Sequence, residues 1–597
     1  MLANKGGITM GNKNITGYPS IDKPWLKYYT EEAINAKIPE CTVYENIYRR
    51  NSDNKDNTAL IYYGKKISYG ELFDNAEKAK KAFENAGVKK GDIVVMITSS
   101  TPETVYSILA LCRIGAVANM LNPFFEEQQM IDRITETKAN ILVVLDRLYK
   151  NISAFADKLS VKKRIIIPVT NSMPTAVKIA AKLKLGKTDI TYDDSTIVWN
   201  DFIKKSERNE PTADAGYEKD RPFVMVYSSG TTGSSKGIVL TNDGINSVIK
   251  HYLSSDLPLD TGFTFLQMIP VWFSTGIVLS LLMPFYVQMS IILEPVFNEK
   301  VFVEDIIKYK PNSTLVATSL WVYAFRNNRL KNEDLSFMKY PVTGGEKMLH
   351  ETENELNSFL HNHGSASNLL KGYGMCELGS TITADSPRCN RTGSVGVPLE
   401  NIIVSAFDMN TNKEMKYGER GEIRAFSPAR MKEYYKNPQA TSEFFIIDEE
   451  ERVWGCTGDI GFVDEDGFVF ILGRATDCYV TSSGRKIYCF DIEDVILQHK
   501  SVNRCKVVGV ECEGAEIPIA HIVIEDNADK EKEQLIKEID ELCRNKLDSD
   551  SVPWGYVIRN DMPIKNSGKL DVELLRNEGF KNAIKINGID YMETIVK

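Results

Sequence analysis

A chain of 597 residues is too long for one ordinary hydrophobic core, and with 43% hydrophobic and 26% charged residues it is globular rather than disordered. Its formal net charge of −9 leaves no dominant basic face, which argues against nucleic acid as a main partner. The ten cysteines are scattered, with no C-x-x-C pair and no histidine at metal-ligand spacing, so reduced thiols in a cytoplasmic protein are expected.

From the N-terminus, Met1 to Gly17 are rich in Gly, Asn and Lys and have no apolar run, so they are neither a secretion signal nor a membrane anchor. Residues 1–30 are read as an N-terminal tail. Ser68-Tyr69-Gly70-Glu71 is a capping box, and Leu72, Ala76, Ala79, Phe83 and Ala86 follow at helical spacing until Gly87. Ile93 to Ile97 and Ile141 to Leu145 read as buried strands, with a helix over Glu103 to Ile114 between them. Such alternation predicts an α/β fold with largely parallel sheets.

Residues 171–220 have a weaker pattern and read as a surface excursion. Within it, Lys178, Lys182, Lys184 and Lys187 interleave with Val177, Ile179, Leu183 and Leu185. That fits either a basic amphipathic helix in peripheral membrane contact or an ordinary solvated helix face. The uncharged run Ile277 to Leu293 contains Pro284 and is too short for a span, so it reads as a buried helix, a break and a strand. After Arg474 the pattern changes to a small module: a helix at 487–498, strands at 505–511 and 519–525, a charged helix at 530–547 and a strand at 556–558. The expected domains are therefore a large one at 31–474, with layered sheets and helices, and a small α+β one at 475–597.

The run Tyr227-Ser228-Ser229-Gly230-Thr231-Thr232-Gly233-Ser234-Ser235-Lys236-Gly237 lies between two apolar segments, Phe223 to Val226 and Ile238 to Leu240, that read as strands. Glycine N–H groups, hydroxyls and one ammonium in a short loop can neutralise an oligophosphate. It is not a Walker loop, because Ser235 stands where that motif has a glycine before its lysine. The alternative is a merely flexible connector.

Four further motifs follow in order: Gly344-Gly345-Glu346, Gly372-Tyr373-Gly374-Met375-Cys376-Glu377, Thr457-Gly458-Asp459 and Gly473-Arg474. Pro563-Ile564-Lys565-Asn566-Ser567-Gly568-Lys569-Leu570-Asp571 closes the series. Together with the loop, they resemble the signature set of the AMP-forming adenylating superfamily, which includes acyl-CoA synthetases, nonribosomal adenylation enzymes and luciferases. The resemblance runs from about Tyr44 to Asp571.

It implies that ATP and Mg²⁺ are used to join a carboxylate to the α-phosphorus. Ser228, Thr231, Thr232 and Lys236 would hold the β- and γ-phosphates, and Glu377 would coordinate Mg²⁺. Tyr373 would lie against the adenine, with Gly344, Gly345, Glu346 and Gly374 around it. Asp459 and Arg474 would hold the ribose or phosphate. Lys569, on a mobile C-terminal domain, would be the catalytic lysine bridging carboxylate and α-phosphate. After that domain turns, Ser483, Gly484 and Arg485 would face an incoming thiol.

Three departures from the family pattern stand out. Cys376 replaces a phosphate-contacting Thr, and a thiol is the weaker donor. Thr476, followed by Asp477, occupies the usual hinge position of an Asp or Lys. Phe273 stands where amino-acid-activating relatives carry an Asp, so an α-amino group would be buried unpaired. The pocket expected from Trp272, Phe273, Gly276, Trp321, Gly372 and Met375 is therefore apolar, for a fatty or aryl acid, although aromatics at such positions are also plain core. The acceptor is coenzyme A or the phosphopantetheine of a separate acyl carrier protein. A nucleotide-binding sensor without turnover is a third reading.

Overall fold

Ser68 Oγ accepts from the Glu71 N–H at 3.1 Å, and the Glu71 carboxylate accepts from the Ser68 N–H at 2.8 Å. This reciprocal cap starts the helix Tyr69–Asn85, whose Leu72, Ala76, Ala79 and Phe83 are all buried. The computed structural model describes residues 15–582 apart from 187, 189, 206–209, 211, 229–234, 255–261, 513, 526–531 and 564–569. The chain divides into two compact units. Met1–Glu419, Arg424–Thr457 and Phe462–Phe470 form one, and Arg420–Ile423, Gly458–Gly461 and Ile471–Lys597 form the other.

In the first unit an eight-stranded sheet has the order Glu433–Tyr434, Gly237–Thr241, Pro222–Tyr227, Val117–Met120, Ile93–Ile97, Ile141–Leu145, Lys163–Ile167, Thr196–Val198. From Pro222–Tyr227 onward all neighbours run parallel. Helix Pro102–Ile114 follows Ile93–Ile97 and closes on Gly115 in the left-handed region. A nine-stranded sheet has the order Val397–Pro398, Thr383–Ala384, Leu370–Tyr373, Tyr340–Gly344, Ser313–Val316, Thr264–Gln267, Ser290–Leu293, Thr58–Tyr62, Lys65–Ser68, and is parallel from Leu370–Tyr373 to Thr58–Tyr62. In these two sheets the expectation of largely parallel pairing holds, with antiparallel strands only at the margins, while a separate five-stranded sheet pairs Phe445–Ile447 antiparallel to Val453–Val463.

The 277–293 run folds as expected. A π-helical turn Thr275–Leu282 passes into the short helix Met283–Tyr286, and the strand Ser290–Leu293 follows.

The N-terminal tail expected over residues 1–30 is a misreading for its later part. Trp25 is completely buried, packed with Tyr29 in a cluster that includes Val397, Trp454 and Phe468, and the Tyr29 hydroxyl donates to the Pro398 carbonyl at 2.9 Å. Burying such a large aromatic surface outweighs the cost of ordering the short segment. The excursion at 171–220 is also partly fastened. Fully buried Lys80 donates to the Thr212 carbonyl and lies 3.3 Å from Asp214, which also pairs with Arg113.

The second unit contains the long antiparallel pair Val502–Cys512 and Ala515–Ile524, with Gly555–Arg559 added in parallel. Helices Cys489–Ile496 and Lys532–Lys546 bury Ile492, Leu535, Ile536 and Ile539 in its core. These elements correspond closely to the expected module. Replacing the cap in Ser68→Ala is expected to cost about 1 kcal/mol, read as a lower urea midpoint with an unchanged slope.

Candidate active site

The sequence motifs of the first unit lie at the carboxyl ends of its parallel strands, the usual ligand-binding edge of an α/β sheet. The 228–236 loop follows Pro222–Tyr227, 270–276 follows Thr264–Gln267, 344–346 ends Tyr340–Gly344, and 373–377 ends Leu370–Tyr373. The base of the first loop is closed twice. The Lys236 N–H donates to Ser228 Oγ at 3.1 Å, and the Ser228 N–H donates to the Lys236 carbonyl at 3.0 Å. Thr231 and Thr232 fall outside the described residues.

Glu377 is buried, and its Oε1 accepts from the Tyr434 hydroxyl at 2.9 Å, while its carbonyl accepts from the Met431 N–H at 2.7 Å. The Lys236 ammonium sits 4.9 Å from the centroid of the same Tyr434 ring. Burial, followed by the Glu377 charge, pushes the Tyr434 phenol far up, so it remains a protonated donor. Tyr434 was not among the sequence candidates. It belongs to the edge strand Glu433–Tyr434, paired to Gly237–Thr241, and joins the lysine loop to the carboxylate.

The glycines have reasons within the protein itself. A Cβ on Gly344 would meet the Gly372 carbonyl oxygen at 2.8 Å, one on Gly374 would meet that of Ser380 at 2.2 Å, and one on Gly276 that of Pro270 at 2.1 Å. Gly345, at φ +84°, faces open space. Glu346 accepts from the Ser319 N–H at 2.8 Å and its hydroxyl at 3.0 Å, placing a carboxylate at the start of helix Thr318–Arg326. Tyr373 and Met375 are half-buried at the strand end, beside buried Lys371, which pairs with Glu353 and lies 3.5 Å from Asp385. Burial raises the Asp385 carboxyl to about 7 despite that lysine.

Trp272 packs edge-on to Phe124, with ring centroids 6.0 Å apart, and Phe273 lies 6.2 Å from it at a tilt. Phe124 follows strand Val117–Met120, is 63% exposed, and had no periodicity to single it out. The Ser274 hydroxyl donates to Cys376 Sγ at 3.0 Å, and burial together with the neighbouring Glu377 raises that thiol to about 11. Trp321 is a correction. It is buried between Phe302 and Phe325, its indole N–H donates to the Val342 carbonyl at 2.9 Å, and it belongs to the core beneath the sheet.

In the second unit, Arg474 Nε lies 3.1 Å from Asp459 Oδ1. Ser483, Gly484 and Arg485 form an exposed hairpin turn with Gly484 at φ +79°, and the Arg485 guanidinium pairs with Asp548 at 2.6 Å. Asp477 is bound to Lys506, which also pairs with Glu493 at 2.9 Å. That tie anchors Asp477 inside the unit, whereas Thr476 before it is exposed. Lys569 lies outside the described residues. Among the described residues there is no cluster of three His, Cys, Asp or Glu that could hold a metal ion.

A family model described as AMP-binding enzyme matches residues 47–435, and one described as AMP-binding enzyme C-terminal domain matches 491–569. A long-chain-fatty-acid–CoA ligase of Bacillus subtilis (strain 168) is 24% identical over 568 residues, covering 94% of this chain and 99% of that protein. A 4-coumarate–CoA ligase 3 of Arabidopsis thaliana is 25% identical over 528 residues, covering 85% and 88%. The crystal structure of the anthranilate CoA ligase AuaEII in complex with anthranoyl-AMP shares the fold, with a TM-score of 0.76, 22% identity and coverage of 91% of this chain and 98% of that one. Because Trp321 is a core residue, Trp321→Ala should cost about 3–5 kcal/mol of stability. Trp321→Phe should leave ligand selectivity unchanged when the two variants are compared by denaturation and substrate competition.

Proposed function

The chain belongs to the AMP-binding enzyme family, and on that premise we propose that it activates an apolar carboxylic acid as its acyl-adenylate and passes the acyl group to coenzyme A. The observation that carries this reading is the meeting of Lys236, Tyr434 and Glu377, with Cys376 next to Glu377 bonded to Ser274 of the loop that carries Trp272 and Phe273. Positive charge and a buried carboxylate suit a metal-bound polyphosphate, and the aromatic side chains suit an acid without an ammonium group.

In the first step a carboxylate oxygen of the acid attacks the α-phosphorus of ATP, the bond to the β-phosphate oxygen breaks, and pyrophosphate leaves. Ser228, Thr231, Thr232 and Lys236 hold the departing phosphates. Lys569 stabilises the charge that concentrates between carboxylate and α-phosphate. Mg²⁺ fits Glu377, since this cation usually takes one or two carboxylates with substrate phosphates and water rather than an all-protein cage. When bound, it neutralises phosphate charge. Tyr434 fixes the carboxylate that would hold it. Tyr373, with Gly344, Gly345, Glu346 and Gly374, borders the adenine, and Asp459 with Arg474 serves the ribose. In the second step the thiol sulfur attacks the acyl carbon, the bond to AMP breaks, and the thiol proton is released, with Ser483, Gly484 and Arg485 toward the acceptor. Met375, Gly276 and Gly372 shape the acid site around Phe273.

Both sequence relatives are named coenzyme A ligases, which favours coenzyme A over a separate carrier protein. Retention of both Lys236 and Lys569 speaks against a sensor without turnover. Among the described residues no helix is long and apolar enough to cross a membrane, and the reading places the enzyme in the cytoplasm.

Pyrophosphate release should be seen with fatty or aryl acids and not with free α-amino acids, and coenzyme A should then yield a thioester. Activation of α-amino acids would overturn the reading. Lys569→Ala should slow adenylation by about two to three powers of ten while sparing thioester formation from preformed adenylate. Tyr434→Phe keeps the ring under Lys236 and removes only the donor to Glu377. A hydrogen bond to a charged group is worth about 1.5–3 kcal/mol, so adenylation should slow by roughly ten- to a hundredfold, with a raised Mg²⁺ requirement as its signature.

A further inference from the structure

On the helix Thr175–Leu185, Ala176, Ile179, Ala180 and Leu183 recur at i, i+3, i+4 and i+7, so they share one face. That spacing normally marks the face a helix turns inward. Here it turns outward. All four residues are exposed, Ile179 at 58% and Leu183 at 83%, and none of the helix is buried. The partly covered positions are Val177, Lys178 and Ala181. At 3.6 residues per turn, exposed Lys182 and Lys184 fall on opposite flanks of the apolar stripe. No Asp or Glu occurs between Pro174 and Gly186, in a chain whose net charge is −9.

The helix is held in this attitude. Arg147 donates to the carbonyls of Leu185 and Gly186 at 2.9 and 3.0 Å, and Lys178 Nζ donates to the Asn171 carbonyl at 3.2 Å. Its approach is tied down as well, since Asn171 and Ser172 both donate to buried Glu103. Four residues before Glu103, the Ser99 hydroxyl donates to the Pro295 carbonyl at 2.6 Å, and the next two residues, Val296 and Phe297, are about half exposed. A second apolar projection is thus anchored to the same short stretch of chain.

We propose that this helix is an interfacial anchor that seats the first unit on an anionic lipid bilayer. Ile179 and Leu183 enter the headgroup–acyl boundary, and Lys182 and Lys184 extend to lipid phosphates on either side. A second copy of the chain is the poorer occupant, because a two-fold contact through this face would set the same lysines against each other. The proposal stands apart from the acid-activation reading.

The full-length protein is mixed with vesicles of phosphatidylcholine alone and of phosphatidylcholine with phosphatidylglycerol, and co-sedimentation is measured. Binding is expected to the anionic vesicles and to weaken with added salt. The double variant Ile179→Asp/Leu183→Asp should bind at least about tenfold more weakly, and Lys182→Ala/Lys184→Ala about thirtyfold more weakly. Thermal stability and pyrophosphate release with a water-soluble acid should be unchanged in both. Failure to bind either vesicle, or equal binding by the variants, would overturn the proposal. So would self-association of the unmodified chain that Ile179→Asp/Leu183→Asp abolishes.

Discussion

The contact on which the site depends is the hydrogen bond from the Tyr434 hydroxyl to the Glu377 carboxylate. Tyr434 lies on the margin of the eight-stranded sheet, and Glu377 follows Leu370–Tyr373 of the nine-stranded one, so this bond ties one sheet to the other where their loops meet. A buried carboxylate without partners is costly. Here the phenol donates to it, the Met431 N–H holds the main chain at the same residue, and the ring that supplies the hydroxyl also carries the Lys236 ammonium on its face. One side chain thereby contacts both the acid and the base of the candidate site.

The close backbone packing beneath serves the same end. Gly344, Gly374 and Gly276 each lie where a single added carbon would collide with a neighbouring carbonyl oxygen. The loops that carry Tyr373, Cys376 and Phe273 are held by the protein's own main chain before any ligand arrives, which is preorganisation in the ordinary sense. The π-helical turn that begins at Thr275 adds to this, since its start is hydrogen-bonded to Ser380 through Thr275 Oγ1 at 3.2 Å.

Local signals in the sequence were read correctly where the cause is local. The Ser68–Glu71 cap and the apolar strands at 93–97 and 141–145 arise from residues within a few positions of each other, whereas Pro284 sits inside the helix Met283–Tyr286 and the break follows it. Features that arise from distant contacts were not visible. Trp25 is buried because Trp454 and Phe468 cover it, and Tyr434 matters because Glu377, 57 residues earlier, is beside it. Lys371 looks like any strand lysine until Glu353 and Asp385 close around it. Trp321 shows the reverse error: an aromatic near the motifs in sequence proves to face Phe302 and Phe325. For Gly344 and Gly374, spacing pointed to ligand approach, and only the packed backbone shows that the protein needs them for itself, while Gly345 faces open space.

The state of Cys376 has a chemical consequence of its own. An acyl-adenylate is a mixed anhydride and acylates thiolates readily, so in the proposed site a reactive Cys376 would risk being blocked. Desolvation and the neighbouring Glu377 charge raise the thiol to about 11, so it stays in its less reactive protonated form near neutral pH. The setting beside Glu377 would then act as a protecting group. In the proposed site that would keep the activated acyl group for the thiol that arrives from outside.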